Sequence, residues 1–430
     1  MKEIELNMAA TPDTLHPSSI ATYDGHEYIR GAFIYGANGS GKTTVINAIQ
    51  TLCRIVSAQY DSDSRNGRLL VRSRFRSHYL HRNAPVKFDI LFEKNGTKYS
   101  YSLSIFNGRI VEETLYYSPN GRMTKLFVRD EETFDFCNEY AKESKNCDGY
   151  FQSSRLVLSI AANVTNIKPV QEARDFFIDD IVFLGSGDGA FIFRFDPDED
   201  MYYDPTVNLA KFFIDNPDVK DRVVSLMQGA GMDVMDIEVQ KEEYRVSRPR
   251  YSSHSSDDSL FEDSDEPRFV TRTRYNMIIH HPNEVSLPYE YESDGTKAYL
   301  RMAQRLIGVI DNERVFVCDE PESNMHPNLA IEIIKFFLSS KGKSQMICAT
   351  HETNLMDLKI LRRDQIFFTS IEYADDDRAT ELYALSDFNG IRNNDANIRT
   401  KYLKGYFGAI PKIELNSSSD EEINAEDDDE

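Results

Sequence analysis

Apolar residues fall into distinct rhythms along this chain. Gly31-Ala32-Phe33-Ile34-Tyr35 is a short unbroken run leading into a glycine-rich turn, and from Thr43 to Ala58 the apolar positions recur as Val45, Ile46, Ile49, Leu52, Cys53 and Val56. A bounded continuous run predicts a buried strand, and spacing of three and four predicts an amphipathic helix. From about Val86 to Arg129 the rhythm becomes alternation, with Phe88, Ile90 and Phe92, then Tyr99, Tyr101, Leu103 and Ile105. Asn95-Gly96, Asn107-Gly108 and Asn120-Gly121 punctuate it, and such dipeptides between alternating runs predict an antiparallel meander.

Residues 131–231 read mostly as helices and loops. Asp233 to Arg248 and Arg268 to His280 predict a strand pair, with the polar stretch Ser252 to Pro267 a mobile loop between them. After Gly295 the order becomes helix (Thr296 to Ile310), strand (Val315 to Cys318), helix (Asn328 to Leu338), strand (Gln345 to Ala349). That alternation predicts a parallel sheet covered by helices, with loops at the C-terminal ends of its strands. The fold class is therefore α/β, a mixed sheet with an antiparallel meander lobe and a helical insertion. No internal repeat is visible.

At 430 residues, 40% hydrophobic and 28% charged, the composition is that of a globular chain with one large or two average cores. No apolar run approaches the ~18 to 20 uncharged residues of a membrane span, and the start, Met1-Lys2-Glu3-Ile4-Glu5, lacks a signal peptide's pattern. A cytoplasmic location without membrane contact is expected. The five cysteines (Cys53, Cys137, Cys147, Cys318, Cys348) show no C-x-x-C spacing and read as small core residues. His280-His281 has no cysteine or carboxylate partner at ligand spacing, so a zinc site is not expected. The formal charge is −22, and eight acids crowd the last eleven residues; the remainder is still acidic at −14. The tail beyond Ser417 is expected to be disordered, and any contact with DNA or RNA requires a local basic patch.

Chemistry enters with Gly36-Ala37-Asn38-Gly39-Ser40-Gly41-Lys42-Thr43, which fits G-x-x-x-x-G-K-[ST] after a predicted strand and at the opening of a helix. Glycines let the backbone curl so that successive N–H groups point at phosphate, and the helix N-terminus, with Thr44 in its first turn, adds partial positive charge. Lys42 is placed to reach the β- and γ-phosphates, and Thr43 to hold Mg²⁺ through its hydroxyl. The cofactors implied are ATP and Mg²⁺.

Val315-Phe316-Val317-Cys318-Asp319-Glu320 is an apolar strand ending in two carboxylates, costly unless a cation or hydrogen bonds receive them. Beside a phosphate loop, Asp319 is placed to hold Mg²⁺ and Glu320 to polarise the attacking water. A second apolar strand ends in Thr350-His351. That imidazole either hydrogen-bonds the γ-phosphate or the lytic water, or is a surface histidine capping a helix near Asn354. Glu292-Ser293-Asp294-Gly295-Thr296 lies just ahead of a helix, where small polar groups make either an anion site or a plain N-cap.

Phosphate loop, S-x-G turn, Asp-Glu strand end and histidine strand end, in that order, resemble the ABC-type P-loop ATPases of the SMC, Rad50 and RecF kind. The resemblance implies that Ser293 and Gly295 contact the γ-phosphate held by an opposite subunit, that Glu320 is the catalytic base, and that Asn38 belongs to the loop. Further segments are Asp319-Glu320-Pro321-Glu322-Ser323-Asn324-Met325-His326-Pro327, Leu361-Arg362-Arg363-Asp364-Gln365-Ile366, Glu381 to Phe388 and Gly408-Ala409-Ile410-Pro411. Together they are similar to the RloA/AbiL-type abortive-infection ATP-binding proteins of bacteria, from about Gly31 to Pro411.

That resemblance implies an ATPase sensor or regulator in anti-phage defence, working as a homodimer or higher homo-oligomer with a separately encoded, nuclease-like effector. It divides the chain into 1–130, with phosphate loop and meander; 131–232, a helical insertion; 233–415, with signature, acidic strand end and switch histidine; and 416–430, the acidic tail. The family's phenylalanine-rich first strand has no counterpart here, so no adenine contacts are assigned, and Asn163 takes the place of the Q-loop glutamine. The rival reading is a RecF- or Rad50-like ATPase of DNA repair, which long heptad arms would favour; none is present. Arg65, Arg68, Arg72, Arg74, Arg76, His78, His81 and Arg82, with Phe75 and Tyr79 interleaved, form the most basic stretch. It is either a grip for nucleic acid or a phage component, or the commoner charge-balancing loop.

Overall fold

The computed structural model describes residues 3–58, 84–184, 205–247, 269–374, 377–392 and 397–410. Two short strands, β1 (Ile20–Tyr23) and β2 (His26–Ile29), precede β3 (Gly31–Gly36), whose exit opens α1 (Lys42–Ala58). The meander comprises β4 (Val86–Lys94), β5 (Thr97–Phe106), β6 (Arg109–Ser118), β7 (Thr124–Asp130) and β8 (Thr133–Phe136). Then come α2 (Val157–Val164), α3 (Lys168–Asp175), β9 (Ile181–Leu184), α4 (Pro205–Asp215) and α5 (Pro217–Gly229). A long hairpin of β10 (Asp236–Ser247) and β11 (Phe269–His280), with β12 (Ser286–Pro288) beside it, leads to α6 (Asp294–Asp311). The chain closes with β13 (Val315–Asp319), α7 (Pro327–Ser339), β14 (Gln345–Ala349), β15 (Ile366–Ala374), β16 (Asp377–Ala384) and α8 (Ile398–Leu403).

The expected α/β class, with its mixed sheet and antiparallel meander, is what forms. The six-stranded sheet runs β16-β15-β3-β14-β13-β9, parallel throughout except for β16 at one edge. All six positions of β3 are buried, which demands cover on both faces. Ile34, Val317, Ile347 and Phe367 pack on one side with α1 and the meander. Phe33, Phe316, Cys318, Met346 and Phe368 pack on the other with α6 and α7. In the meander, Asn95-Gly96 and Asn107-Gly108 both adopt positive φ, the geometry of two-residue primed turns. All five cysteines are free thiols, four of them buried, as expected of core residues.

Where residues 131–231 read as helices and loops, two short strands also form: β8 pairs with β7, and β9 extends the main sheet beside β13. Four residues are too few for a period to declare itself, so pairing rather than pattern makes them strands. The basic stretch Arg65 to Arg82, the polar loop Ser252 to Pro267 and the tail beyond Ser417 lie outside the described residues. No helix among the described residues is long and apolar enough to cross a membrane.

One buried arginine fastens the N-terminal segment to the sheet. The Arg362 guanidinium donates to both carboxylate oxygens of Asp364 (2.9 and 2.8 Å) and to the carbonyls of Thr11 (3.0 Å), Asp13 (2.6 Å) and Leu15 (2.8 Å). Asp364 in turn accepts from the Thr11 N–H and hydroxyl. Every guanidinium donor is used, which only arginine's planar fork allows. Arg362→Ala leaves Asp364 buried without its cation and is expected to cost about 3–5 kcal/mol, with Arg362→Lys intermediate, read from urea denaturation midpoints. A loss under about 1 kcal/mol would show that this anchor is not structural.

Candidate functional site

The C-terminal ends of β3, β13 and β14 lie side by side in the sheet, so the segments that leave them share one rim. At that rim the loop 36–43 turns tightly: Gly39 and Gly41 take φ of 76° and 112°, conformations closed to most side chains. A Cβ on Gly41 would stand 2.5 Å from the Thr380 hydroxyl, and one on Gly36 would collide with Thr369 and Ser40. The loop is strapped to the neighbouring strands. The Ser40 hydroxyl bonds Thr369 Oγ1 (2.6 Å), and the Thr380 hydroxyl donates to the Ser40 carbonyl (3.0 Å).

Lys42 is buried, and its ammonium donates to the carbonyls of Gly36 (2.8 Å) and Ala37 (3.2 Å), spanning the inside of the loop. Burial lowers its pKa, while Asp319 and Glu320 pull the other way. Thr44 and Val45 donate to the Gly41 carbonyl, closing the first helical turn. Asn38, Gly39, Thr43 and Thr44 are exposed at the mouth.

Across the mouth, Asp319 ends β13 with one carboxylate oxygen buried and without a partner among the described residues, while the Thr43 hydroxyl hydrogen-bonds the carboxylate. Burial raises its pKa. Two hard oxygen groups facing each other, one with an oxygen lacking a hydrogen-bond partner among the described residues, fit a divalent cation such as Mg²⁺. Glu320 is held at φ 52°, a left-handed conformation sparsely used by such residues and typical of functional turns. Its N–H donates to the Ala349 carbonyl (2.8 Å), and its carboxylate lies 3.8 Å from His351 Nε2, both side chains being about two-fifths exposed (40% and 45%).

The structure thus brings together Gly36, Asn38, Gly39, Ser40, Gly41, Lys42, Thr43, Thr44, Asp319, Glu320 and His351. His351 does not cap the turn near Asn354; the Glu352 carboxylate does so, at 2.7 Å from the Asn354 N–H. Ser293 is exposed and caps α6, accepting from the Thr296 N–H at 3.1 Å. Gly295 faces the loop after β13, where a Cβ would stand 3.2 Å from the Asn324 carbonyl. Asn163 accepts a bond from Arg174 (3.1 Å), and no hydrogen bond joins it to the phosphate loop among the described residues.

Three supporting side chains had no role in the sequence reading. Glu322 accepts from the Thr350 hydroxyl (2.9 Å) and the His351 N–H (2.6 Å), clamping the histidine's strand end to the acidic one. Thr369 and Thr380 brace the loop. Glu322 carried a faint signal, since a third acid in Asp319-Glu320-Pro321-Glu322 begs a partner; the two threonines carried none, because only strand pairing places them.

A family profile described as "AAA domain, putative AbiEii toxin, Type IV TA system" matches residues 32–357. No curated protein matches the chain in sequence. The SMC head domain from Thermotoga maritima is a similar solved structure at 12% identity and TM-score 0.34, over 85% of this chain and 95% of that one. The Smc head domain with an extended coiled coil bound to the C-terminal domain of ScpA, derived from Pyrococcus furiosus, is similar at 12% identity and TM-score 0.36, over 89% and 95%.

Beside Ser293, the ring of His281 lies between two acceptors, the Glu292 carboxylate (2.6 Å) and the Asp233 carbonyl (2.5 Å). Both ring nitrogens can donate only in the imidazolium, and the hydrogen bond to Glu292 is the main reason its pKa is raised. A raised folded-state value means this stabilisation is full below the ordinary histidine range and is lost as pH rises through the folded pKa. Wild type should therefore lose thermal stability as pH rises upward from the ordinary histidine range, and His281→Gln should flatten that dependence. Equal slopes in the two proteins would contradict the bridge.

Proposed function

The chain belongs to the AAA-domain family described as putative AbiEii toxin, Type IV TA system, and from that premise we propose that it binds and hydrolyses ATP, with Mg²⁺, at the β3–α1 loop. The observation that carries this reading is the buried Asp319 oxygen facing Thr43, unpartnered among the described residues, beside a lysine whose only bonds among those residues are to the loop's own carbonyls. A triphosphate gives that ammonium a stronger, charge-assisted acceptor.

Thr43 and Asp319 would hold the metal, which would supply neutralisation of the triphosphate's charge. The loop's N–H groups and the α1 N-terminus orient the phosphates. Glu320, held outward by its backbone, aligns and polarises the attacking water and accepts its proton. His351, clamped by Glu322, hydrogen-bonds the γ-phosphate or that water. Ser293 and Gly295 complete the site from a second copy of the chain in an ABC-type dimer or higher homo-oligomer: an exposed cap on an 18-residue helix has N–H groups and a dipole to offer an incoming phosphate. ATP-driven association and release then make the chain a sensor or regulator in bacterial abortive infection, acting in the cytoplasm on a separately encoded effector. The toxin–antitoxin wording of the family description supports that setting.

Glu320→Gln keeps the shape of the side chain and removes the base. Turnover is expected to fall by roughly two to four orders of magnitude, while light scattering with Mg·ATP shows a persistent dimer that wild type forms only transiently. Hydrolysis at the wild-type rate would remove Glu320 from this role.

A further inference from the structure

We propose that Tyr373 is the platform on which the nucleotide base stacks, an inference that rests on reading the β3–α1 loop as the triphosphate site. The polarity of that site follows from the sheet. Asp319, Glu320 and His351, which mark the γ-phosphate end, leave β13 and β14 on one side of β3, while β15 and β16 lie on the other. A nucleotide whose γ-phosphate meets the carboxylates carries its base toward β15 and β16.

Those two strands form a wall there. Thr369 of β15 is level with Gly36, where β3 turns into the loop, yet β15 continues through Ala374 with β16 paired along it. Thr369 and Thr380 face the loop, since their hydroxyls hold Ser40. Side chains alternate along a strand, so Tyr373 shares a face with Thr369 and with Ile371, the cross-strand partner of Thr380. It stands four residues, about 13 Å, beyond the Thr369–Gly36 level and two residues, about 7 Å, beyond the Ile371–Thr380 pair whose threonine holds Ser40, the second a reach comparable to the ribose between phosphate and base. Tyr373 is 76% exposed, an aromatic ring left in water further along the strand that braces the loop, and a flat base is what would cover it. Stacking of this kind accepts any base but favours purines, whose π-surface is larger.

The test is calorimetry on the full chain with Mg·ATP, Mg·CTP and magnesium tripolyphosphate. Tyr373→Ala is expected to weaken ATP about tenfold or more, to shrink the preference for ATP over CTP, and to leave tripolyphosphate unchanged; Tyr373→Phe should match wild type. The ring is solvent-exposed, so folding is not at stake. Unchanged ATP affinity in Tyr373→Ala, with binding abolished by Lys42→Ala, overturns the proposal and leaves the phosphate site standing. Equal weakening of ATP and tripolyphosphate also overturns it, because Tyr373 would then act on the loop rather than the base. ATP binding that survives Lys42→Ala sinks the phosphate-site reading and this inference with it.

Discussion

A carboxylate at the end of a buried strand, with one oxygen shielded from water and lacking a hydrogen-bond partner among the described residues, is stabilised by positive charge. Asp319 is that carboxylate, and the rim is organised around it. Lys42 lies across the mouth, Thr43 touches it, and Glu320 and His351 flank it. Every other feature of the site serves to hold these groups at the edge of a sheet that is apolar on both faces.

That service comes from distant parts of the chain. The loop is braced by threonines about 330 residues later in sequence, Thr369 and Thr380. The two acidic and histidine strand ends are tied by one residue, Glu322. The aromatic layer beneath β15, where Phe368 stacks on Tyr402 and Phe407, joins the C-terminal segment to the same sheet, and Arg362 ties in the N-terminal one. Both ends of the chain are thereby fastened to the sheet that carries the rim.

How much of this is legible in sequence depends on whether the signal is local. The loop 36–43, the strand into Asp319 and the Asn-Gly turns of the meander declare themselves because each is a short pattern with its own backbone physics. The sheet order, the short strand β9 and the brace from β15 and β16 do not, since they are set by pairing between segments far apart. His351 shows the boundary well. Its place at a strand end can be read from sequence, but that Glu352, and not His351, caps the turn that follows cannot. His281 shows it again: no carboxylate stands at ligand spacing in sequence, yet the fold brings Glu292 to 2.6 Å.

The most direct measurement is the phosphorus hyperfine coupling of Mn²⁺, substituted for Mg²⁺, bound with a slowly hydrolysed ATP analogue. The account predicts coupling to two phosphorus nuclei in wild type and loss of tight Mn²⁺ binding in Asp319→Ala. Mn²⁺ bound as tightly without the Asp319 carboxylate, or bound with no phosphorus coupling, would contradict it.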